Sequence, residues 1–185
     1  MDNTESERAK YQAVWTDPRY RIISPGLRHL KDALEWMQPE AGASVTDWGS
    51  GSGQATDAMV AQGYAVRMVD IAANAYEGPN GPVIEACLWE LPAELGATDY
   101  GFCADVMEHL PPDKVEEVFA QIAARTTKAC YFQIALFHDS CFTDNGPLHL
   151  SVFPPEWWEK RLRAAFSGVE IRMVKRKHLL AVCTV

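Results

Sequence analysis

Three glycines at alternate positions form the part of this sequence that is best suited to holding a ligand. Gly49, Gly51 and Gly53 follow a short apolar run and precede a helix-like segment, so they belong to a strand-to-helix loop. Glycine lets such a loop turn sharply and lets a ligand lie against its backbone, where any Cβ would intrude. Asp70 ends the next apolar run, and in a nucleotide-binding sheet an acid at this place accepts both ribose hydroxyls. The pattern therefore predicts a nucleoside-binding loop.

The spacing of this loop disfavours a dinucleotide. The dinucleotide pattern needs a glycine three residues after Gly51, and Gln54 stands there. Asp47, two residues before the first glycine, would add a negative charge beside a pyrophosphate, whereas it suits a cationic amino group. The residues thus favour a nucleoside with a positively charged tail and no phosphates, and S-adenosylmethionine (SAM) is such a ligand.

A second group of reactive side chains lies in the segment 105–110, which reads Asp-Val-Met-Glu-His-Leu. Asp105, Glu108 and His109 have the spacing i, i+3 and i+4, which places them on one face of a helical turn, so they can converge on a reactive centre. Alternatively, the two acids only favour a helix N-terminus through its dipole. Two interpretations are open at this point. His109 and Glu108 form a catalytic pair, with His109 as general base or positioning group, or the segment is purely structural.

Short apolar runs alternate with helix-like segments, which predicts an α/β fold. Strands separated by helices indicate parallel pairing, whereas only four residues separate the last two strands, and that hairpin length indicates an antiparallel pair. We expect a doubly wound, mostly parallel seven-stranded sheet with one antiparallel strand near the C-terminal edge. The predicted strands are 44–48, 65–70, 83–88, 100–104, 129–136, 169–174 and 179–185, and the predicted helices are 27–38, 53–62, 113–125 and 154–165.

Length, charge and cysteine spacing exclude several classes of protein. The 185 residues predict one domain over 1–185, in which 1–40 forms a helical cap or lid. The net charge of −8 disfavours stable DNA binding, and five cysteines without a CxxC pair disfavour a zinc ribbon or a disulfide framework. The start of the chain is acidic and polar, unlike a signal peptide, and no apolar run approaches the roughly 20 residues of a membrane span. We expect a soluble, cytoplasmic protein with no membrane partner.

Together these motifs resemble the class I SAM-dependent methyltransferases. The first family motif, acid-x-G-x-G-x-G, is matched by Asp47 and the three glycines, the ribose acid by Asp70, and the segment after the fourth strand by 105–110. The resemblance is clear over about 44–136 and implies a Rossmann-like fold, SAM as cofactor, and methyl transfer to an oxygen or nitrogen of a small-molecule acceptor. The flanks are similar to small methyltransferase-domain proteins often carried by phages. The cofactor-binding residues that the resemblance implies are Asp47, Gly49, Ser50, Gly51, Gly53, Asp70, Ile71, Leu88, Trp89 and Asp105.

The adenine-binding segment departs from the family pattern. Many relatives have an aspartate about four residues before a Leu-Pro pair, and Cys87 stands at that position here. Adenine would then depend on backbone groups of Cys87 and Leu88, with Trp89 as a stacking surface.

Some relatives hold a divalent metal with an acid-x-x-Glu-His set and a later histidine, among them ubiquinone-pathway O-methyltransferases and small-RNA 2′-O-methyltransferases. The matching residues here are Asp105, Glu108 and His109, with His149 or His138 as the later histidine. A metal would lower the pKa of a coordinated hydroxyl. A metal site, a general base at His109 and a structural role are three alternatives.

Two other functions compete with small-molecule methylation. One is a catalytically silent SAM-binding subunit that regulates a partner, and the other is a ribose methyltransferase acting on RNA. The sequence lacks the Asn/Asp-Pro-Pro-Tyr/Phe motif of amino-group DNA methyltransferases and the Pro-Cys nucleophile of cytosine C5 enzymes. Base methylation of those kinds is therefore disfavoured.

Overall fold

The computed structural model describes residues 3–22, 24–139, 142–143, 146–174 and 177–185. Their strands are β1 (Ser44–Trp48), β2 (Ala65–Asp70), β3 (Ile84–Glu85), β4 (Thr98–Ala104), β5 (Thr126–Ala135), β6 (Phe142–Thr143), β7 (Gly146–Pro147), β8 (Gly168–Val174) and β9 (His178–Thr184). Their α-helices are α1 (Asn3–Val14), α2 (Pro18–Arg21), α3 (Pro25–Met37), α4 (Gln54–Ala61), α5 (Val115–Ala123) and α6 (Pro155–Ala165). Two 3₁₀ turns, Ala73–Ala75 and Met107–His109, follow β2 and β4.

Seven strands form one twisted sheet in the order β3-β2-β1-β4-β5-β9-β8, and β6 and β7 pair separately. Strands β1 to β5 pair in parallel, while β9 is antiparallel to both β5 and β8. The predicted mostly parallel sheet with one antiparallel strand near its C-terminal edge is confirmed. This is the Rossmann-like architecture of class I methyltransferases.

Helices cover both faces of the sheet because the central strands are apolar on both sides. Helices α3 and α4 pack on the face that carries Val45, and α5 and α6 pack on the face that carries Trp48. Side chains alternate between faces along a strand, so Asp47 shares the face of Val45. None of the helices within the described residues is both long enough and apolar enough to span a membrane.

The third strand is shorter than the predicted 83–88. Only Ile84 and Glu85 pair with β2, and the Ala86 N–H then donates to the Asp70 carbonyl at 2.9 Å. The Cys87 carbonyl accepts from the Glu90 N–H at 2.9 Å, so the chain turns out of the sheet. This turn keeps Trp89 at the carboxyl edge of the strands. If β3 had continued to residue 88, Trp89 would lie beyond this edge.

The segment after β4 is not the start of an α-helix, as the i, i+3, i+4 reading assumed. Met107–His109 is a 3₁₀ turn, and α5 begins only at Val115. Pro111 and Pro112 explain the break, because proline donates no backbone hydrogen bond and restricts the residue before it. A helix-dipole explanation of Asp105 and Glu108 is therefore wrong for this chain.

Candidate functional site

A cleft of about 650 Å³ opens at the carboxyl ends of β1, β2 and β4. Doubly wound sheets bind their ligands at this edge, where the loops after neighbouring strands diverge. Ser50 lines a neighbouring cleft instead, and Asp47 and Gly53 line neither of the two. The predicted cofactor residues that line the first cleft are Gly49, Gly51, Asp70, Ile71, Leu88, Trp89 and Asp105.

The glycine loop requires glycine for reasons that lie within the chain itself. Gly49 and Gly51 have φ of +72° and +51°, a left-handed backbone that favours glycine. A Cβ on Gly49 would lie 2.5 Å from Cγ2 of Val106, and a Cβ on Gly51 would lie 2.9 Å from Cζ2 of Trp15. Gly53 is tight against Tyr76 rather than against the cleft. The floor of the cleft is thus backbone, with the indole of Trp15 lying over it.

Asp70 joins the glycine loop to the loop after β2. Its Oδ2 accepts the Gly51 N–H at 2.8 Å, and its Oδ1 accepts the Ala72 N–H at 2.9 Å. Burial raises the pKa of this carboxyl to about 6, although these backbone hydrogen bonds oppose the shift. Each carboxylate oxygen can accept more than one hydrogen bond, so the side chain is held at the cleft with acceptor capacity for a diol.

Asp47 lies behind the glycine loop. Its Oδ2 accepts from the Thr56 hydroxyl of α4 at 2.7 Å, and only 3% of the residue is exposed. Burial raises the pKa of this carboxyl to about 7; the Thr56 hydrogen bond opposes the shift and the charge of Asp70 adds to it. The side chain thus occupies the face covered by α4, which the strand alternation requires.

The N-terminal helix supplies one wall of the cleft. Glu7, Tyr11 and Trp15 line it, and their spacing of four residues puts them on one helical face. The Trp89 Nε1–H donates to Oγ1 of Thr4 at 3.1 Å, which fixes the start of α1 on the turn after β3. The sequence predicted a helical cap or lid over 1–40 without singling out Glu7 and Tyr11, although the i, i+4, i+8 spacing carried that signal.

Glu108, His109 and His149 meet beside this cleft, which His109 alone of the three lines. Oε1 of Glu108 accepts the Ala135 N–H at 2.7 Å, while Oε2 is buried without a hydrogen-bond partner among the described residues. The imidazole rings of His109 and His149 lie 4.7 Å apart in an edge-to-face arrangement. One ligand atom from each of the three residues lies within 4.8 Å of the others.

Hydrogen bonds to Nδ1 orient both imidazoles. Nδ1 of His149 is 2.7 Å from the Phe137 carbonyl, which only accepts, so Nδ1 carries the proton and Nε2 the lone pair. Nδ1 of His109 is 2.9 Å from the Tyr11 hydroxyl of α1. Both rings thus turn Nε2 away from these contacts, and Nε2 of His109 carries a lone pair in the tautomer in which Nδ1 donates to the Tyr11 hydroxyl.

Burial dominates the acid-base properties of the cluster. It lowers the pKa of His109 to about 4, opposed by the charge of Asp105, and it raises the pKa of Glu108 well above its usual range, with Asp105 adding to the rise. His109 is therefore a neutral imidazole at physiological pH, able to accept a proton.

Of the four metal ligands that the resemblance implies, Glu108, His109 and His149 come together, and Asp105 is not part of that group. Asp105 has a left-handed backbone with φ of +62°, which is uncommon for a residue other than glycine. Its side chain faces both clefts. His138, the other candidate for the later histidine, is exposed and also lies outside the group.

A second cleft of about 700 Å³ adjoins the first. Both clefts are lined by Trp15, Tyr20, Asp105 and His109 as well as by the glycine loop. The second one extends to the start of α3, to Asp139 after β5 and to His149 after β7. Two connected compartments with one imidazole between them suit a two-substrate reaction.

Comparison with known proteins identifies the fold. No protein-family model matches the sequence, and no curated protein matches it either. Among solved structures, the chain is similar to 1,6-didemethyltoxoflavin-N1-methyltransferase of Burkholderia thailandensis, bound to its substrate and S-adenosylhomocysteine, with 23% identity, a TM-score of 0.72 and coverage of 96% of this chain and 86% of that one. A TehB-like SAM-dependent methyltransferase of Corynebacterium glutamicum shares 18% identity at a TM-score of 0.64, covering 97% and 98%.

A third similar structure is the magnesium protoporphyrin IX methyltransferase of Synechocystis PCC 6803 with bound SAM, at 15% identity, a TM-score of 0.62 and coverage of 85% and 78%. Structures of many class I SAM-dependent methyltransferases match nearly the whole chain. The chain thus has the class I methyltransferase fold.

Proposed function

We propose that this protein binds SAM in the first cleft and transfers its methyl group to an oxygen or nitrogen of a small-molecule acceptor in the second. The observation that carries the proposal is the meeting of the backbone-floored glycine loop, Asp70 and His109 at one edge of the sheet, where the two clefts join. The similar structures support the cofactor, since several are complexes with SAM or S-adenosylhomocysteine.

The cofactor residues act by binding and orientation. Gly49 and Gly51 admit the cofactor close to the backbone, and Asp70 accepts the ribose hydroxyls. Trp89 offers an apolar surface beside the adenine. Asp47 acts on the amino group from behind the loop, through its charge and through water. When bound, SAM supplies a methyl group that its sulfonium has already activated.

His109 acts on the acceptor. Its neutral imidazole takes the proton that a hydroxyl or amine acceptor loses as the new bond to the methyl carbon forms. Since the methyl donor is already activated, the larger contribution of the protein is to hold donor and acceptor atoms close and aligned. Glu108, anchored on the backbone of β5 through Ala135, fixes the turn that carries His109.

Calorimetry with S-adenosylhomocysteine tests the cofactor site. We expect one bound molecule per chain, and Asp70→Ala should weaken binding about tenfold or more, since charge-assisted hydrogen bonds to the ribose are lost. Asp32→Ala is the matched control, because Asp32 is an exposed carboxylate of α3 outside both clefts. Unchanged affinity in Asp70→Ala would remove the ribose role.

Methyl transfer itself separates this function from its rivals. Labelled methyl groups should pass from SAM into the small-molecule fraction of a cell extract. Transfer into RNA with a steep loss at high salt would instead indicate a ribose methyltransferase, because phosphate contacts are salt-dependent. Binding of the cofactor with no transfer into any fraction would indicate a silent subunit.

The cluster of Glu108, His109 and His149 favours a metal-assisted form of the same reaction. The unpartnered Oε2 of Glu108 and two Nε2 atoms form a donor set that suits Mn²⁺ or Zn²⁺, with Nδ1 of each ring held by a protein oxygen as in metal sites. A cation there would lower the pKa of a nearby hydroxyl. We expect Mn²⁺ to bind with a dissociation constant that Glu108→Gln raises about tenfold or more. Titration of the protein with Mn²⁺ in the absence of SAM measures this dissociation constant directly. If no Mn²⁺ binds, the reaction would depend on His109 as general base without a metal.

A further inference from the structure

The charged side chains that line the second cleft are all acidic within the described part of the chain. Asp105 and Asp139 are its charged residues, and no lysine or arginine lines it within the described part of the chain. Its remaining polar side chains are hydroxyls of serine and tyrosine and the imidazoles of His109 and His149. The lining therefore offers hydrogen-bond acceptors and negative charge.

Several of these acceptors have no partner within the protein. Oδ2 of Asp139 accepts the His149 N–H at 2.7 Å, but its Oδ1 is buried and unpartnered among the described residues, and so is Oγ of Ser50. The fully buried Glu108, which lies outside the lining but beside His149, adds a third unpartnered oxygen, and the group's ligand atoms lie within 4.8 Å of one another. Buried polar atoms are nearly always satisfied in native structures, so these three oxygens point to a ligand that completes them.

The net charge of the second cleft's lining stays negative with or without a bound metal. Without a cation, two formal carboxylates of the lining face the acceptor. With a divalent cation on Glu108 and the histidines, three carboxylates stand against two positive charges. In neither state does the described lining become net positive, so an anion entering the cleft would lose hydration without gaining a counter-charge.

Building on the proposed function, we infer that the acceptor is a neutral or cationic small molecule that presents hydroxyl or amine donors, and that phosphate, phosphonate and carboxylate compounds are rejected. Asp139 accepts a hydrogen bond from the acceptor through Oδ1, and Ser50 accepts a second one through Oγ. The rings of Trp15 and Tyr20 form the apolar wall of the cleft. Ser50 thus belongs to the acceptor rather than to the cofactor.

Charge fractionation of the acceptor pool tests this inference. A small-molecule extract of the source cells is separated into cations, neutral molecules and anions, and each fraction is incubated with methyl-labelled SAM. We expect transfer into the neutral or the cationic fraction, and at least about tenfold less into the anions, equivalent to about 1.4 kcal/mol. Label that appears mainly in anionic products overturns the inference while leaving the proposed function intact. No transfer into any fraction overturns the proposed function and this inference with it.

A variant at Asp139 tests the residue assignment with the fraction that accepts the label. Asp139→Asn keeps a carbonyl oxygen for the His149 N–H and removes the charge and one acceptor. The KM for the acceptor should rise about fivefold or more, while the affinity for S-adenosylhomocysteine stays the same. Glu94→Gln is the control, because Glu94 is an exposed acid outside both clefts. An unchanged acceptor KM in Asp139→Asn refutes the assignment.

Ser50→Ala provides an independent check if Asp139→Asn folds poorly. Removing a hydroxyl from a loop residue changes no hydrogen bond of Oγ within the described protein. We expect a smaller increase in the acceptor KM, of about threefold, and no change in cofactor affinity. A loss of cofactor affinity instead would return Ser50 to the cofactor site and count against the inference.

Discussion

The buried carboxyl of Asp47 predicts a stability that falls as the pH rises. Asp47→Asn is the perturbation, because asparagine has nearly the same shape and its carbonyl oxygen can still accept from Thr56. The aspartate is 3% exposed and lies beneath the glycine loop, where its charged form is poorly solvated. Replacing it removes that charge without opening a cavity.

The magnitude follows from the difference between folded and unfolded pKa values. Burial raises the pKa of Asp47 from 3.8 to about 7 in the folded protein. The folded state therefore keeps a proton that the unfolded state loses, so the stability contributed by the neutral carboxyl is complete below pH 3.8 and is lost as the pH rises through about 7. The loss amounts to about 1.4 kcal/mol per pH unit between these values, or about 2 to 3 kcal/mol from pH 5 to pH 8.

Urea unfolding at a series of pH values measures this difference. The variant should be more stable than the parent at about pH 8, and the gap between their unfolding free energies should shrink by about 2 to 3 kcal/mol towards pH 5. Asp32→Asn is the matched control, because it makes the same substitution at an exposed position of α3.

A gap that is constant with pH would show that Asp47 titrates normally, and the burial argument would then be wrong. A variant that is less stable than the parent at pH 8 would show that the ionised carboxylate has a favourable partner near the loop. The amino group of the proposed cofactor would be such a partner. In the presence of S-adenosylhomocysteine, the difference in unfolding free energy between variant and parent at pH 8 should therefore become smaller. No narrowing would argue against the proposed role of Asp47 towards the amino group.

Two further substitutions test the contacts of α1. Tyr11→Phe removes the hydroxyl that orients His109 and should lower kcat about fivefold while leaving cofactor affinity within twofold; calorimetry and steady-state kinetics together check this, and a selective loss of affinity would assign Tyr11 to the cofactor instead. Gly51→Ala should weaken binding of S-adenosylhomocysteine about tenfold, because its Cβ would displace Trp15 at a left-handed position. Gly42→Ala, with φ of +76° and nothing within 4 Å of the added Cβ, carries the strain without the clash and should bind normally.

The sheet was predictable because its signals are local. Runs such as 44–48 and 65–70 indicate strands from their own residues. The short connection before His178 requires that β8 and β9 pair antiparallel. The boundaries that were missed depend on single breaks in this pattern. Pro111 and Pro112 kept the segment after β4 out of an α-helix, and the turn at Cys87 ended β3 early.

The glycine motif was predicted as a strand-to-helix loop, and strand geometry explains where its acid lies. Val45 and Asp47 are two residues apart in β1, so both side chains point to the face under α4, whereas the first cleft opens beyond the end of the strand. Applying the two-residue period to the motif itself would have placed Asp47 beside Thr56. The motif indicates which residues belong to the site, and the alternation of side chains along β1 decides which face of the sheet each of them occupies.

The link between α1 and His109 shows what sequence spacing leaves out. Tyr11 and His109 are 98 positions apart, and only the packing of α1 across the carboxyl edge of the sheet brings them to 2.9 Å. Because Tyr11 lines the first cleft and His109 lines both clefts, the helix that forms one wall of the proposed cofactor site also orients the imidazole at the proposed acceptor site. Substitutions that displace α1 as a whole, unlike Tyr11→Phe, should therefore lower both the affinity for S-adenosylhomocysteine and kcat, because they would open the first cleft and release the Nδ1 contact.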